Sequence, residues 1–343
     1  MESETSYTRV VITELGGPEV LKVVEEPTKP EPESGEVRIK ALATSVAFTD
    51  KVIRQGVYPG TMGKKPPFSL GYDLVGVVDK LGAGVTKLHV GQKVAELTVT
   101  GAYSEYICLH EDRLVPVPDE LDPGEAVSMI LSYMTAYQML HRLAEIKEGE
   151  RILVLGAGGA VGTALLQLGK LLNLEMYGTD SKPKHGLIAS LGATPIDYKT
   201  EDVSKRVLEL TGDGVDAAFD AVGGKSTAES FKLLRSGGTL VSYGALNINS
   251  LLNALRFPID LLRLRLWNIL PNGRSTAFYS IAPLRKKETG WFYEDLTKLF
   301  ELLSQGKIKP VIAKRFPLSE AAAAHHMLEQ RGVKGKIILT IGE

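Results

Sequence analysis

"RILVLGAGGAVGTALLQLGKL", residues 151–171, reads as a buried strand, a glycine turn and an amphipathic helix in direct succession. "ILVLG" is a short apolar run of the kind found in parallel strands covered on both faces, and "TALLQLGKLL" repeats its apolar residues at the helical period. Glycines stand at 156, 158, 159 and 162 between them. The strict pattern G-x-G-x-x-G begun at Gly156 fails, because Val161 occupies its third glycine position. Read backwards from Gly162, the turn becomes Ala157-x-Gly159-x-x-Gly162, with Ala157, preceded by Gly156, at the first glycine position. A pyrophosphate needs bare backbone amides at the start of a helix, with no Cβ in the way. Gly159 allows that approach and Gly162 allows the helix to pack on the strand. Gly156, Ala157, Gly159, Ala160, Val161 and Gly162 are therefore the predicted cradle of a dinucleotide, against the alternative of a glycine-rich turn with no ligand.

The surroundings favour the dinucleotide. From 151 to about 245 strand candidates ("LEMYGT", "ATPID", "GVDAAFDAVG", "GGTLVSYG") alternate with helical stretches such as "STAESFKLLRS", which implies a doubly wound parallel sheet. In such a site the group that discriminates between cofactors closes the next strand, about 20 residues on. That point is "YGTDSKPKH", residues 177–185. Asp180 suits an unphosphorylated ribose, whereas Ser181, Lys182, Lys184 and His185 suit a 2'-phosphate. The balance favours NADPH over NADH, with a solvated charged loop accounting for some of these residues in either case.

The first 120 or so residues have another texture. "GEVRIKALATSV", "DLVGVVDKLGAGV", "GQKVAEL" and "AYSEYICLH" are strand-length runs separated by turn residues. A helix then opens, with Asp122 as its cap and Pro123 at its first position. The stretch 251–270 reads as one or two amphipathic helices interrupted at Pro258. The tail offers a helix at "WFYEDLTKLFELLSQG", a strand at "VIAKRFPL", a helix at "SEAAAAHHMLEQ" and a strand at "GKIILTI".

At 343 residues the chain is long enough for two domains with substantial cores. Forty basic residues against 41 acidic ones lack the basic excess of a nucleic-acid binder. Cys108 is the single cysteine, which leaves neither an internal disulfide framework nor a thiolate-rich metal site. "MESETSYTR" has no apolar signal core, and no uncharged run reaches the length of a membrane-spanning helix. The expectation is a cytoplasmic protein.

The chain resembles the medium-chain dehydrogenase/reductase superfamily. It is most similar there to the zinc-free quinone oxidoreductase branch that includes zeta-crystallin and the vesicle amine transport protein. The resemblance runs through "SVAFTDKVIRQGVYPG", "PFSLGYDLVGVVDKLGAGVTKLHVGQKVA", "GAYSEY", "MTAYQML", "LVLGAGGAVG", "LGATPIDY" and "GKIIL". It implies a β-rich GroES-like catalytic domain over 1–124 and 290–343, and a Rossmann domain over 125–289. Zinc-dependent relatives carry cysteine in a C-H-x-D stretch and histidine in a G-H-E stretch. Here the matching stretches are "AFTD" and "GYD", with Ala47 and Tyr72 at the ligand positions. A methyl group cannot ligate zinc and a neutral phenol is a poor ligand, so the resemblance implies no metal. Many zinc-free relatives have asparagine at the position of Ala47.

The same resemblance implies site residues. Tyr58 is the candidate to hydrogen-bond the substrate oxygen, with an amphipathic tyrosine at a domain boundary as the alternative. Asp50 joins it as a catalytic candidate, although Asp50 and Asp73 suit the bracing of loops better than proton movement. Thr135 resembles a residue at the nicotinamide end, and Lys184 and Tyr198 align with residues that cradle a 2'-phosphate. Gly223 and Gly244 fall at strand ends facing the cofactor, and Lys336 resembles a family lysine near it. His325 and His326 are adjacent, point about 100° apart on a helix, and suit a structural role. The segment 246–290, with its leucines, Trp267 and arginines, permits a substrate lid, a dimer surface or a membrane-touching patch. Arginine stems that can cover apolar surface favour the first two.

The expected function is NADPH-dependent reduction of quinones or other α,β-unsaturated carbonyl compounds by a homodimer. The alternative is a nucleotide-binding protein with little catalysis that acts through partners or lipid surfaces.

Overall fold

The computed structural model describes residues 6–244, 251–330 and 332–342, with 251–257 described by backbone alone. The first residues of the segment 246–290 lie outside the described residues. The chain divides into two units, one of residues 1–131 and 290–343, the other of residues 132–289.

The first unit opens with strands β1 (Tyr7–Ile12), β2 (Leu21–Glu26), β3 (Glu36–Val46), β4 (Leu74–Leu81), β5 (Lys93–Glu96), β6 (Tyr106–His110) and β7 (Val115–Pro116). The second unit contributes β8 (Arg151–Leu155), β9 (Glu175–Asp180), β10 (Thr194–Asp197), β11 (Val215–Asp220), β12 (Leu234–Ser242) and β13 (Ser275–Phe278). The chain then returns to the first unit with β14 (Ile312–Pro317) and β15 (Lys336–Thr340).

β1 and β2 form an antiparallel pair. The other strands of the first unit make one sheet in the order β14-β15-β3-β4-β5-β7, with β6 also on β3. The first half of β3 alternates as a half-covered antiparallel strand should, with Val37, Ile39 and Ala41 buried. Val37 and Ile39 pack with Leu74, Val78, Val94 and Leu109. From Ala43 to Val46 every residue of β3 is buried, including the hydroxyls of Thr44 and Ser45. Buried hydroxyls require partners, and these partners belong to the functional site.

The second unit is a parallel sheet in the order β10-β9-β8-β11-β12-β13. Numbered from β8, this is the 3-2-1-4-5-6 order of the Rossmann fold, whose direction of winding reverses between its first and fourth strands. The residues of β11 are all buried, as expected of a strand covered on both faces. The helix predicted after the glycine turn runs from Ala160 to Leu171.

Three elements differ from expectation. Of the one or two helices expected over 251–270, the structure has one, Leu251–Ile269, and it runs through Pro258 without the expected interruption. Pro258 is exposed, and a carbonyl that loses its amide partner on a wet face can bond to water instead. "STAESFKLLRS" is helical only to Lys232, and Leu234 already belongs to β12. β13 lies within the segment 246–290, for which no strand is predicted, and it supplies the sixth parallel strand.

The helix Leu251–Ile269 is docked by Leu264, which is 4% exposed, and by Trp267, whose ring stacks on Phe231 at 4.3 Å between centroids. Leu264→Ala should therefore cost about 2–5 kcal/mol in urea unfolding. Leu262→Ala, at an exposed position of the same helix, should stay within about 0.5 kcal/mol.

Candidate functional site

In the second unit, β8 ends in the glycine turn. Gly156 has φ +72, and the amides of Gly156 and Ala157 both donate to the carbonyl of Thr179 in β9, at 3.0 and 3.1 Å. Gly159 caps the helix with no side-chain partner. The first amides of a helix have no carbonyl within it to bond, and at this end the partial positive charge of the helix suits a phosphate. Gly162 carries the packing role expected of it. A Cβ there would stand 2.4 Å from the Gly156 carbonyl oxygen and 2.6 Å from the Ala157 Cα.

Asp180, at the end of β9, faces this turn. Its Oδ2 accepts from the Gly158 amide at 3.1 Å, and its Oδ1 accepts from the Ser181 amide at 2.8 Å. The ammonium of Lys184 lies 3.4 Å from Oδ2, and His185 Nε2 is 3.2 Å from the Asp180 carbonyl oxygen. A Cβ on Gly158 would stand 2.6 Å from the Lys184 Cδ, so the bare backbone of Gly158 is what lets Lys184 lie across the turn. Ser181 is partly exposed, Lys182 is exposed and Tyr198, just after β10, is 54% exposed. Thr135 is buried in the helix Met134–Gln138.

Gly223 and Gly244 meet at a small cavity beyond the ends of β11 and β12, also lined by Thr227, Ser242 and Asp260. Asp220, fully buried, organises this end. It accepts from the amides of Val222 and Gly223 at 2.7 and 3.2 Å and from the Thr227 hydroxyl at 2.7 Å.

The first unit holds a buried polar cluster. Asp50 accepts from the Ala47 amide at 2.9 Å, which caps the helix Phe48–Arg54, and from the Gly71 amide at 3.1 Å. Asp73 accepts from the amide and hydroxyl of Ser45 at 2.9 and 2.7 Å, and Thr44 donates to the Asp73 carbonyl at 2.6 Å. Lys336, 4% exposed, lies 3.9 Å from Asp73, so the lysine expected near the cofactor stands in this cluster as counter-charge. Burial raises the carboxyls of both aspartates, that of Asp50 to about 7, and lowers the ammonium of Lys336.

Next to this cluster the hydroxyls of Tyr58 and Tyr72 are 2.6 Å apart. Burial raises the Tyr58 phenol, as does nearby Asp50, while the hydrogen bond with Tyr72 lowers it. It therefore stays protonated at neutral pH. Of the adjacent histidines, His325 is fully buried with Nε2 3.0 Å from the Tyr103 hydroxyl, and His326 is exposed.

Residues 33–119 match the family model of the alcohol dehydrogenase GroES-like domain, and residues 191–339 match that of a zinc-binding dehydrogenase. A quinone oxidoreductase of Pseudomonas aeruginosa is 33% identical over 96% of this chain and 98% of its own length. The synaptic vesicle membrane protein VAT-1 homolog of Danio rerio is 31% identical over 99% of this chain and 71% of its own. The Escherichia coli quinone oxidoreductase, solved in complex with NADPH, superposes with a TM-score of 0.85 at 29% identity, covering 97% and 99% of the two chains. The chain belongs to the medium-chain dehydrogenase/reductase family, in the branch of the quinone oxidoreductases and VAT-1 homologues.

Within that family the zinc ion named by one of the matching models does not fit these residues. Among the described residues no group of three or more histidine, cysteine, aspartate or glutamate side chains could hold a metal ion. Ala47 offers no lone pair, and the Tyr72 hydroxyl is hydrogen-bonded to Tyr58. What reading the sequence missed is the tyrosine pair itself. Tyr72 registers in "GYD" as an absent ligand, and nothing local shows that it meets Tyr58. Asp220 was also missed, although "DAVGGKST" carries the aspartate, glycines and hydroxyls of a capped turn.

The proton on Asp50 has a consequence for stability. An unfolded aspartate titrates near about 3.9, so between that value and about 7 the folded state holds a proton that the unfolded chain has released. This contribution is full below the unfolded value and is lost as pH rises through the folded one. Asp50→Asn should therefore lose less of its urea midpoint than the unaltered protein between about pH 4 and pH 8. Equal losses would place the proton elsewhere in the cluster.

Proposed function

We propose that this chain is an NADPH-dependent reductase of quinones or other α,β-unsaturated carbonyl compounds that works without zinc. The observation that carries the reading is a dinucleotide turn in a chain whose metal-ligand positions hold Ala47 and a hydrogen-bonded Tyr72. When bound, NADPH supplies a hydride. The first amides of the helix, from Ala160 to Gly162, hold the pyrophosphate, with Gly156, Ala157 and Gly159 shaping the turn before them, Thr135 meets the nicotinamide end, and Gly223 and Gly244 leave room for the cofactor at the strand ends. Ser181, Lys182, Lys184 and Tyr198 hold the 2'-phosphate. With Asp180 engaged by the Gly158 and Ser181 amides, the Lys184 ammonium and the flanking hydroxyls are the groups left to read the ribose. The E. coli relative's complex with NADPH supports the same choice.

An electron-poor alkene or quinone carbon accepts hydride without a Lewis acid on the substrate oxygen. The protein has to orient the ring and stabilise the charge that develops on that oxygen. Tyr58 is the donor for it, protonated at neutral pH. Asp50, fully buried with both described hydrogen bonds on backbone amides, serves as a brace. NADPH consumption with naphthoquinones, phenanthrenequinone and short enones tests the reading, and oxidation by none of them despite NADPH binding would overturn it. NADPH should also bind more tightly than NADH, and Lys184→Ala should erode the difference by about tenfold, the worth of one charge-assisted contact. Equal affinities in the unaltered protein would return the choice to Asp180.

A second reading rests on the outer face of the helix Leu251–Ile269. Ile259, Leu262, Leu266, Ile269 and Leu270 are all more than half exposed. At about 100° per residue they fall within an arc of about 100°, with exposed Arg263 and Arg265 on its two flanks. Among the described residues no helix is long and apolar enough to cross a membrane. An apolar arc between arginines suits the surface of an anionic bilayer, and the VAT-1 homolog of Danio rerio is a synaptic vesicle membrane protein by name. The chain should then co-sediment with phosphatidylserine vesicles at low salt, and Leu262→Asp with Leu266→Asp should abolish this. Retention in solution as a homodimer that these substitutions split would assign the arc to a second copy.

A further inference from the structure

The first unit holds a cavity of about 350 Å³ that none of the candidate site residues lines. Tyr7 and Arg9 of β1, Tyr106 of β6 and the loops around 64–69 and 100–101 contribute its walls. Main-chain hydrogen bonds fix these walls in place. The Ile12 amide donates to the Phe68 carbonyl at 2.9 Å, the Gly101 amide to that of Ser69 at 3.0 Å, and the Glu105 amide to that of Thr8 at 2.9 Å. Small-molecule sites are of this size and are usually formed before the ligand arrives.

The lining combines aromatic rings with positive charge. Tyr7, Phe68 and Tyr106 supply three rings, the two tyrosines edge-on with centroids 6.0 Å apart. Among the described residues no acidic side chain lines the cavity. Of its two cations, Arg9 is paired with Glu26. Lys64 has only neutral partners among the described residues. Its ammonium is 2.9 Å from the Thr100 hydroxyl oxygen and 4.6 Å from the centre of the Phe68 ring. A second observation points to a ligand. Ser69 lines the cavity and is 7% exposed, yet its hydroxyl has no hydrogen-bond partner among the described residues. Buried hydroxyls are ordinarily satisfied, and this one carries a desolvation cost that nothing described in the chain offsets.

A cationic ligand would meet Lys64 and no carboxylate, and a bare inorganic anion would leave the rings without a partner. A flat ring that bears a carboxylate uses both halves of the lining, with its oxygens accepting from the ammonium and the serine hydroxyl. We propose that this cavity is a binding site for a small aromatic monocarboxylate, held by Lys64 and Ser69 and packed among Tyr7, Phe68 and Tyr106. No residue assigned to the cofactor or the acceptor takes part, so the site stands apart from the reductase reading.

The probe is 2-naphthoate, titrated calorimetrically into the full chain with NADPH saturating, so that the cofactor turn is filled. It should bind once per chain with a Kd of about 100 µM, an ordinary value for so few heavy atoms. The neutral 2-naphthamide, of nearly the same shape, should bind about tenfold more weakly, and Lys64→Met should weaken naphthoate by a similar factor. Lys64→Arg, which keeps the charge, should stay within about threefold. Ser69→Ala gives a reading that a merely structural serine would not. It should weaken naphthoate about fivefold without lowering the melting temperature of the unliganded chain, because the hydroxyl it removes has nothing to bond there. No saturable binding up to about 2 mM, equal affinity for acid and amide, or affinity unchanged in either Lys64→Met or Ser69→Ala would overturn the proposal. So would a Tyr58→Phe variant that loses naphthoate, which would place the acid beside Tyr58 instead.

Discussion

Asp50, Asp73 and Lys336 cluster in the dry interior of the first unit, and the fold there is built around keeping them satisfied. Asp50, Asp73 and Lys336 are each at most 4% exposed, so each carries a desolvation cost that bare Coulomb attraction does not recover. The cost is offset by directed hydrogen bonds from the amides of Ala47, Gly71 and Ser45 and the hydroxyl of Ser45. The groups come from three places in the chain: the end of β3 with the helix after it, the approach to β4, and the start of β15. β15 pairs with β3 in register Ile337 to Val46 and Ile338 to Ser45, so the last strand carries Lys336 to the carboxylates. Without it Asp73 would lose the ammonium beside it. The first unit therefore requires both ends of the sequence, and the parallel-sheet unit is inserted in the chain between them.

This frame decides what can stand at the site. Gly71 has φ +102, and a Cβ there would be 2.7 Å from the Tyr103 amide and the Ala102 Cβ, so the turn that presents Tyr72 tolerates no side chain. The frame stays charged and strict while the two positions it presents hold Ala47 and Tyr72. A frame of this kind is indifferent to whether the presented side chain is a metal ligand or a phenol. It fixes the backbone, and the side chain sets the chemistry.

Legibility followed the range of the forces involved. Strands such as β3, β4 and β8, and the helix Ala160–Leu171, could be read because burial periodicity is local. The Asp122 cap could be read because capping spans three residues, and its Oδ1 does accept from the Glu125 amide at 2.8 Å. β13 could not, since "STAF" is a four-residue edge strand without a marked apolar run, recruited by its neighbour β12. The continuity of the helix through Pro258 was equally hidden, because it depends on tertiary docking, with Leu264 in the core and Trp267 stacked on Phe231. In the site, the glycine turn was legible and the tyrosine pair was not. Tyr58 and Tyr72 are 14 residues apart, and their contact depends on the turn at Gly71, which depends in turn on Asp50.

The role of a carboxylate, in particular, could not be taken from its type and position. Asp180 has the place of a ribose acceptor, yet its oxygens hold the Gly158 and Ser181 amides. Asp220 does the same for Val222 and Gly223, as Asp50 does for Ala47 and Gly71. Both units thus use short buried acids to tie loops at or near strand ends. An aspartate is well suited to this, with two acceptors on a stem too short to wander, and charge-assisted bonds to backbone amides are among the stronger ones available. The amides so engaged are not available to a ligand. What each unit leaves for chemistry is of another kind: the first amides of a helix in one, and a partly exposed phenol in the other.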